Sequence, residues 1–143
     1  MKNKGKILAI DFGSRTVGLA VSDEDRSMVF GRGVIRDYKS LIGLFGKIME
    51  FCLKEKIVGI VMGVPSGKDG EETAQTERIR GIGGKLDEFL GDIPVEYEDE
   101  SFTSFEADDY LANIRGVRGT DRKPMEDELA AVIILKRFLK LED

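Results

Sequence analysis

Two periods of apolar residues run along the chain. Lys6 to Ile10 (KILAI) is a short apolar run ending at Asp11, the pattern of a strand buried on both faces. Phe12-Gly13-Ser14-Arg15 reads as a turn. Val17, Leu19 and Val21 then alternate with small residues, predicting a second strand up to Ser22-Asp23. A polar turn leads to a third strand, Met28 to Ile35, so that the first three strands form an antiparallel meander. From Tyr38 to Lys56 the period becomes helical, with Leu41, Leu44, Phe45, Ile48, Met49 and Cys52 on one face. Ile57 to Met62 is a continuous apolar strand ending at Gly63-Val64-Pro65. Glu71 to Leu90 returns to helical spacing through Ile79, Ile82, Leu86 and Phe89. Gly81, Gly83 and Gly84 weaken that helix by up to ~1 kcal/mol each relative to Ala.

Ile93 to Glu98 supplies a fifth strand. Thr103-Ser104-Phe105-Glu106 matches a capping box that opens a third helix. Arg115 to Lys123 reads as a basic, glycine-containing loop, expected to be mobile. Pro124 is well suited to begin a last helix, with Leu129, Val132, Ile133, the stem of Lys136 and Leu139 toward the core. A meander followed by strand–helix units predicts one α/β domain over residues 1–143. Its five-stranded mixed sheet would carry parallel strands beside the meander and helices on both faces. Ligands in such sheets gather at the carboxyl ends of the strands.

Composition narrows the chemistry. The chain has no histidine, which removes Ser-His-Asp and Cys-His catalysis and histidine as a metal ligand or general base. Cys52 is the single cysteine, so an intrachain disulfide is excluded and a structural zinc site has too few ligands. No long apolar span or signal-peptide core is present, and a cytoplasmic, reducing location is expected. The net charge of −5 argues against indiscriminate nucleic-acid binding, though Arg115, Arg118, Arg122 and Lys123 form a local basic stretch. What remains for catalysis is carboxylates, lysines, hydroxyls or a hard metal bound by oxygen.

Asp11 ends a buried strand beside Gly13, which permits a tight turn; alone, that pair reads equally as an Asx turn. The fourth and fifth strands end at Gly63 and at Glu98-Asp99-Glu100, and parallel pairing would bring both ends beside Asp11. Two carboxylates at ~4 Å repel by about 4 kcal/mol at an effective dielectric near 20, so a cation or a shared proton must offset them. Mg²⁺ or Mn²⁺ suits oxygen ligands. Asp127 lies in the first turn of the expected last helix, where the helix dipole alone would also account for the acidic run 126–128.

As a set, these blocks resemble the YqgF (RuvX) family, which is related to the RuvC Holliday-junction resolvases and shares the RNase H-like fold. The resemblance rests on Asp11-Phe12-Gly13-Ser14-Arg15-Thr16-Val17-Gly18-Leu19-Ala20-Val21-Ser22-Asp23 and on Gly63-Val64-Pro65 with Asp69-Gly70. It continues through Asp99-Glu100-Ser101-Phe102-Thr103-Ser104-x-x-Ala107 and Asp127-x-x-Ala130-Ala131-x-x-Ile134-Leu135. It implies that Asp11, Glu100 and Asp127 form an acidic triad holding divalent metal, two ions of Mg²⁺ or Mn²⁺, for phosphodiester hydrolysis. The implied substrate is precursor 16S rRNA, with branched DNA as the alternative. Arg15, Arg115, Arg118, Arg122 and Lys123 are candidate phosphate contacts. Ser101 stands where that family usually has Arg, which is expected to weaken substrate affinity and leaves open a binding module without catalysis. A nucleotide-dependent phosphotransferase of the actin and sugar-kinase type shares the Asp-x-Gly turn but needs two such domains. The expected assembly is a monomer or weak homodimer, with no membrane partner.

Overall fold

In the computed structural model, residues 1–13, 15–66, 70–100 and 119–141 are described, with side chains from residue 125 onward in the last stretch. Strand β1 (Lys6–Phe12) lies at the centre of a sheet ordered β3-β2-β1-β4-β5. Side chains alternate along a strand. Leu8 and Ile10 therefore enter one apolar layer, and Ile7 and Ala9 the opposite one. β2 (Val17–Ser22) and β3 (Val29–Ile35) complete the antiparallel meander, while β4 (Ile57–Val64) and β5 (Val95–Asp99) add in parallel on the other side of β1. The mixed sheet expected from the sequence is thus present, with one difference at its centre. β1 continues to Phe12, the first residue of the expected turn, so Asp11 is a paired strand residue opposite Gly18.

Helix α1 (Leu41–Glu55) begins where Ser40 turns its side chain back to accept the Gly43 N–H, and ends at Lys56 in the left-handed region. Helix α2 (Ala74–Leu90) opens on a capping box between Thr73 and Thr76. Both cover the same sheet face, packing Leu44, Phe45, Ile48, Ile79, Ile82 and Leu86 against Leu8, Ile10 and Met62. Their cores follow the helical spacing of the sequence, except that at the end of α2 Phe89 is exposed and Leu90 is buried in its place. The glycines of α2 do not break it, and at Gly83 the bare backbone makes room for the Tyr97 ring.

Helix α3 (Gly119–Leu139) covers the other face. It begins five residues before Pro124, so residues 119–123 of the expected basic loop are helical, and Pro124 leaves out one backbone bond in its second turn. Its buried face is also rotated from the expected one. Asp127, Ala130, Ala131, Ile134 and Leu135 are buried, whereas Leu129, Val132, Ile133, Lys136 and Leu139 are half-buried. The two alanines allow a helix–sheet approach that bulkier residues would prevent, so small size rather than hydrophobic bulk sets the contact face. The capping box at Thr103 and the helix it would open lie outside the described residues.

Cys52 is buried in the α1 layer, and burial pushes its thiol up to about 12. The thiolate is the reactive form. Native protein at pH 8 is therefore expected to leave a thiol reagent such as DTNB uncoloured, and protein in urea to react with one equivalent; rapid reaction of the native protein would contradict the packing of α1.

Candidate active site at the carboxyl ends of the parallel strands

β1, β4 and β5 run parallel, so their carboxyl ends share one edge of the sheet. Asp11 is the next-to-last residue of β1 and has the same strand parity as Ile7 and Ala9, which places it on the α3 face; it is 4% exposed. Beyond it the chain reverses tightly, with the Gly13 N–H donating to the Thr16 carbonyl at 2.8 Å.

Helix α3 is seated on this reversal. A Cβ at Gly18 would stand 2.0 Å from the Asp127 carbonyl oxygen, and one at Gly13 would stand 2.7 Å from Asp127 Oδ2. Bare backbone at both positions allows the helix to reach the sheet. The Asp127 carboxylate, also 4% exposed, lies over the β1–β2 turn, where its Oδ2 accepts the Thr16 hydroxyl. Gly18 is the register partner of Asp11, so the Asp127 backbone rests on the residue directly across from Asp11.

The neighbouring Glu128 has a different task. A bulge where β3 opposes β2 carries Gly33 at φ +75°, and the Gly33 N–H donates to Glu128 Oε2 at 2.6 Å. Glu128 thereby ties α3 to the edge strand, one residue from the buried Asp127. The acidic run 126–128 is more than a favourable helix start, because α3 begins several residues earlier.

Glu100 follows β5 directly, and its N–H donates to the Val64 carbonyl at 3.0 Å. Its Oε2 lies 2.7 Å from the position a Cβ would take on Gly63. Gly63 follows Met62, the register partner of Ile10, and so neighbours Asp11 on the next strand. Asp127 and Glu100 therefore approach Asp11 from opposite sides, over β2 and over β4. Among the described residues no three acidic side chains are drawn into a closed ligand cluster. Their oxygens are nonetheless the donor type that hard divalent cations take, and their burial favours a cation that balances the charge.

Of the other sequence-derived candidates, Arg15 is exposed on the turn between β1 and β2. Arg115 and Arg118 lie outside the described residues, as do Ser101 and the first part of the basic loop. Arg122 and Lys123 belong to the first turns of α3, with side chains outside those described. Sequence reasoning missed Thr16, Gly18 and Glu128. Thr16 and Gly18 stand within the first motif block, but nothing in the local pattern says that a helix more than one hundred residues away will land there.

The sequence model of the RuvX family, described as Holliday junction resolvase, matches residues 5–141. A protein of Maridesulfovibrio salexigens named "Putative pre-16S rRNA nuclease" is 36% identical, the match covering 94% of this chain and 97% of that protein. A Lactobacillus gasseri protein of the same name is 35% identical, over 94% of this chain and 95% of its own length. Among solved structures, T. thermophilus RuvC in complex with a Holliday junction substrate superposes with a TM-score of 0.55 at 12% identity, covering 96% of this chain and 98% of that one. This likeness establishes the RNase H-like fold.

The seating of α3 makes a sharp prediction. Gly18→Ala is expected to cost about 3 kcal/mol in urea unfolding, since its Cβ would meet fixed backbone. Gly46→Ala, where nothing lies within 4 Å, is expected to gain up to about 1 kcal/mol. Equal stability of Gly18→Ala and the parent would contradict the close approach.

Proposed function

The chain belongs to the RuvX family, and on that footing we propose that it is a metal-dependent nuclease that hydrolyses phosphodiester bonds in the 5′-end processing of precursor 16S rRNA. The observation that supports the reading is that Asp11 and Asp127 are both buried and that the Asp127 backbone rests on Gly18, the register partner of Asp11, with Glu100 over Gly63 on the strand at the other side of Asp11. Asp11, Glu100 and Asp127 would hold two ions of Mg²⁺ or Mn²⁺. When bound, a divalent cation lowers the pKa of a water and stabilises the leaving oxygen of an in-line displacement.

The chain's own residues do the rest. In the hydrolysis a water oxygen bonds to phosphorus, one P–O ester bond breaks, and a proton ends on the departing oxygen. Thr16 orients the Asp127 carboxylate through its hydroxyl, and Glu128 fixes the helix that carries it. The buried floor beneath Asp11 restricts bulk water to the open edge. With no histidine in the chain, no imidazole serves as a proton carrier. Arg15 stands exposed at that edge to meet a phosphate, and Arg115, Arg118, Arg122 and Lys123 are assigned to the same task. No helix among the described residues is long and apolar enough to cross a membrane, and the proposed place of action is the cytoplasm, as a monomer or weak homodimer.

The test is Mn²⁺-dependent cleavage of a precursor 16S rRNA fragment, run beside a four-way DNA junction. Wild type is expected to cut the RNA, and Asp11→Asn and Asp127→Asn to lose on the order of 100-fold or more in kcat/KM, at least what loss of an outer-shell partner costs a metal site. Selective cutting of the junction would replace the RNA assignment with junction resolution. RNA binding without any Mn²⁺- or Mg²⁺-dependent cleavage would leave a binding module.

A further inference from the structure

On the layer opposite α3, a groove of about 460 Å³ runs between the start of α1 and the first half of α2. Its walls carry Lys39, Arg78 and Lys85, against a single carboxylate from Glu77. All three cations are exposed, and none makes an ion pair among the described residues, whereas Lys6, Arg32 and Arg80 do. In a chain of net charge −5, three unpaired cations around one concavity are a local reversal of sign.

The groove opens at the edge that carries the carboxylates. The Thr76 hydroxyl donates to the Pro65 carbonyl, which fixes the first turn of α2 against the carboxyl end of β4. Val17 pairs with Ile35, so the chain leaving β3 through Arg36 to Lys39 starts beside the β1–β2 turn. Arg15 on that turn and Arg36 after β3 are both exposed. Arg15 and Arg36 thus stand at the sheet edge from which the chain leads through Lys39 to the groove of Arg78 and Lys85, with Asp37 and Glu77 beside them and Glu71 and Glu72, the latter paired with Arg80, before α2.

We propose that this groove between α1 and α2 binds the phosphate backbone of a single-stranded part of the RNA substrate away from the scissile bond. The proposal rests on the nuclease reading for the identity of its ligand. It adds a second contact surface, on the opposite sheet face from α3. Phosphate is the ligand that spaced, unpaired cations recognise with little demand on sequence, and in an acidic protein a local cluster of them adds to the hold on RNA. Gly81 lines the groove, and a Cβ there would meet nothing within 4 Å, so the helix backbone is open to an approaching strand.

Binding of a fluorescent single-stranded RNA, measured by anisotropy across a salt series, tests this. For single strands, log K falls with log salt by about 0.7 per phosphate contact. The triple variant Lys39→Gln, Arg78→Gln, Lys85→Gln is therefore expected to flatten the slope by about 2 and to weaken binding at low salt, with an unchanged melting temperature. Lys47→Gln with Lys54→Gln, exposed on α1 outside the groove, is expected to leave the slope as it was. A second pair removes any ambiguity from folding. Gly81→Leu and Gly84→Leu both replace an open helical glycine and are expected to raise the melting temperature, but only Gly81→Leu fills the groove and weakens RNA binding. An unchanged slope and affinity in the triple variant, or no RNA binding by wild type, overturns the proposal and leaves the groove to a protein partner. Cleavage with an unaltered triple variant sinks the groove and spares the nuclease. Slope loss in the triple variant, with no metal-dependent cleavage by wild type, does the reverse.

Discussion

The contact between α3 and the sheet at Gly18 is the constraint on which the site depends. A helix normally stands off a sheet by the length of its side chains. Here the Asp127 carbonyl would lie 2.0 Å from a Cβ at Gly18, so backbone meets backbone. Ala20 and Ala131 continue the same low relief along the interface. The consequence is positional. The backbone of Asp127 is held over the register partner of Asp11, although the two aspartates are more than one hundred residues apart.

Such an arrangement works against stability unless something compensates it. Buried carboxylates lose hydration, and two in proximity repel. Part of the compensation is visible: the Thr16 hydroxyl serves Asp127, and Glu128 is spent on the Gly33 N–H rather than added to the site. The division between Asp127 and Glu128, adjacent in sequence and different in task, follows from the bulge at Gly33, which leaves a backbone donor facing the helix. Under the proposed function, a divalent cation held by Asp11, Asp127 and Glu100 would offset their charge further.

Much of the architecture was legible in the chain. The uninterrupted apolar run of β4 and the alternation through Val17, Leu19 and Val21 specify strands in almost any context. The helical period of α1 survives because Leu44, Phe45, Ile48 and Cys52 all face one layer. The legible part of the site was its list of carboxylates at strand ends, sharpened by the family-like blocks. What local pattern could not give was where α3 begins and which face it buries. Its start at Gly119 overrides Pro124 as a starting signal, and its contact face is chosen by alanines that hydrophobic bulk ranks low. Thr16 is likewise unreadable locally, because a threonine after a turn has no distinguishing feature until a distant aspartate is placed over it.

The two layers of the molecule carry different loads. The α3 layer is closely apposed to the sheet and carries Asp127 and Glu128. The α1–α2 layer carries the exposed Lys39, Arg78 and Lys85 on the opposite sheet face. The proposed function rests on Asp11 and Asp127 sharing one cation-binding locus. Crystals soaked in Mn²⁺ and measured for anomalous scattering test that claim most directly. The account predicts a peak ligated by the carboxylates of Asp11 and Asp127 and absent from Asp127→Asn crystals. A peak that persists in Asp127→Asn, or Mn²⁺ bound only away from the carboxyl ends of β1 and β4, would contradict it.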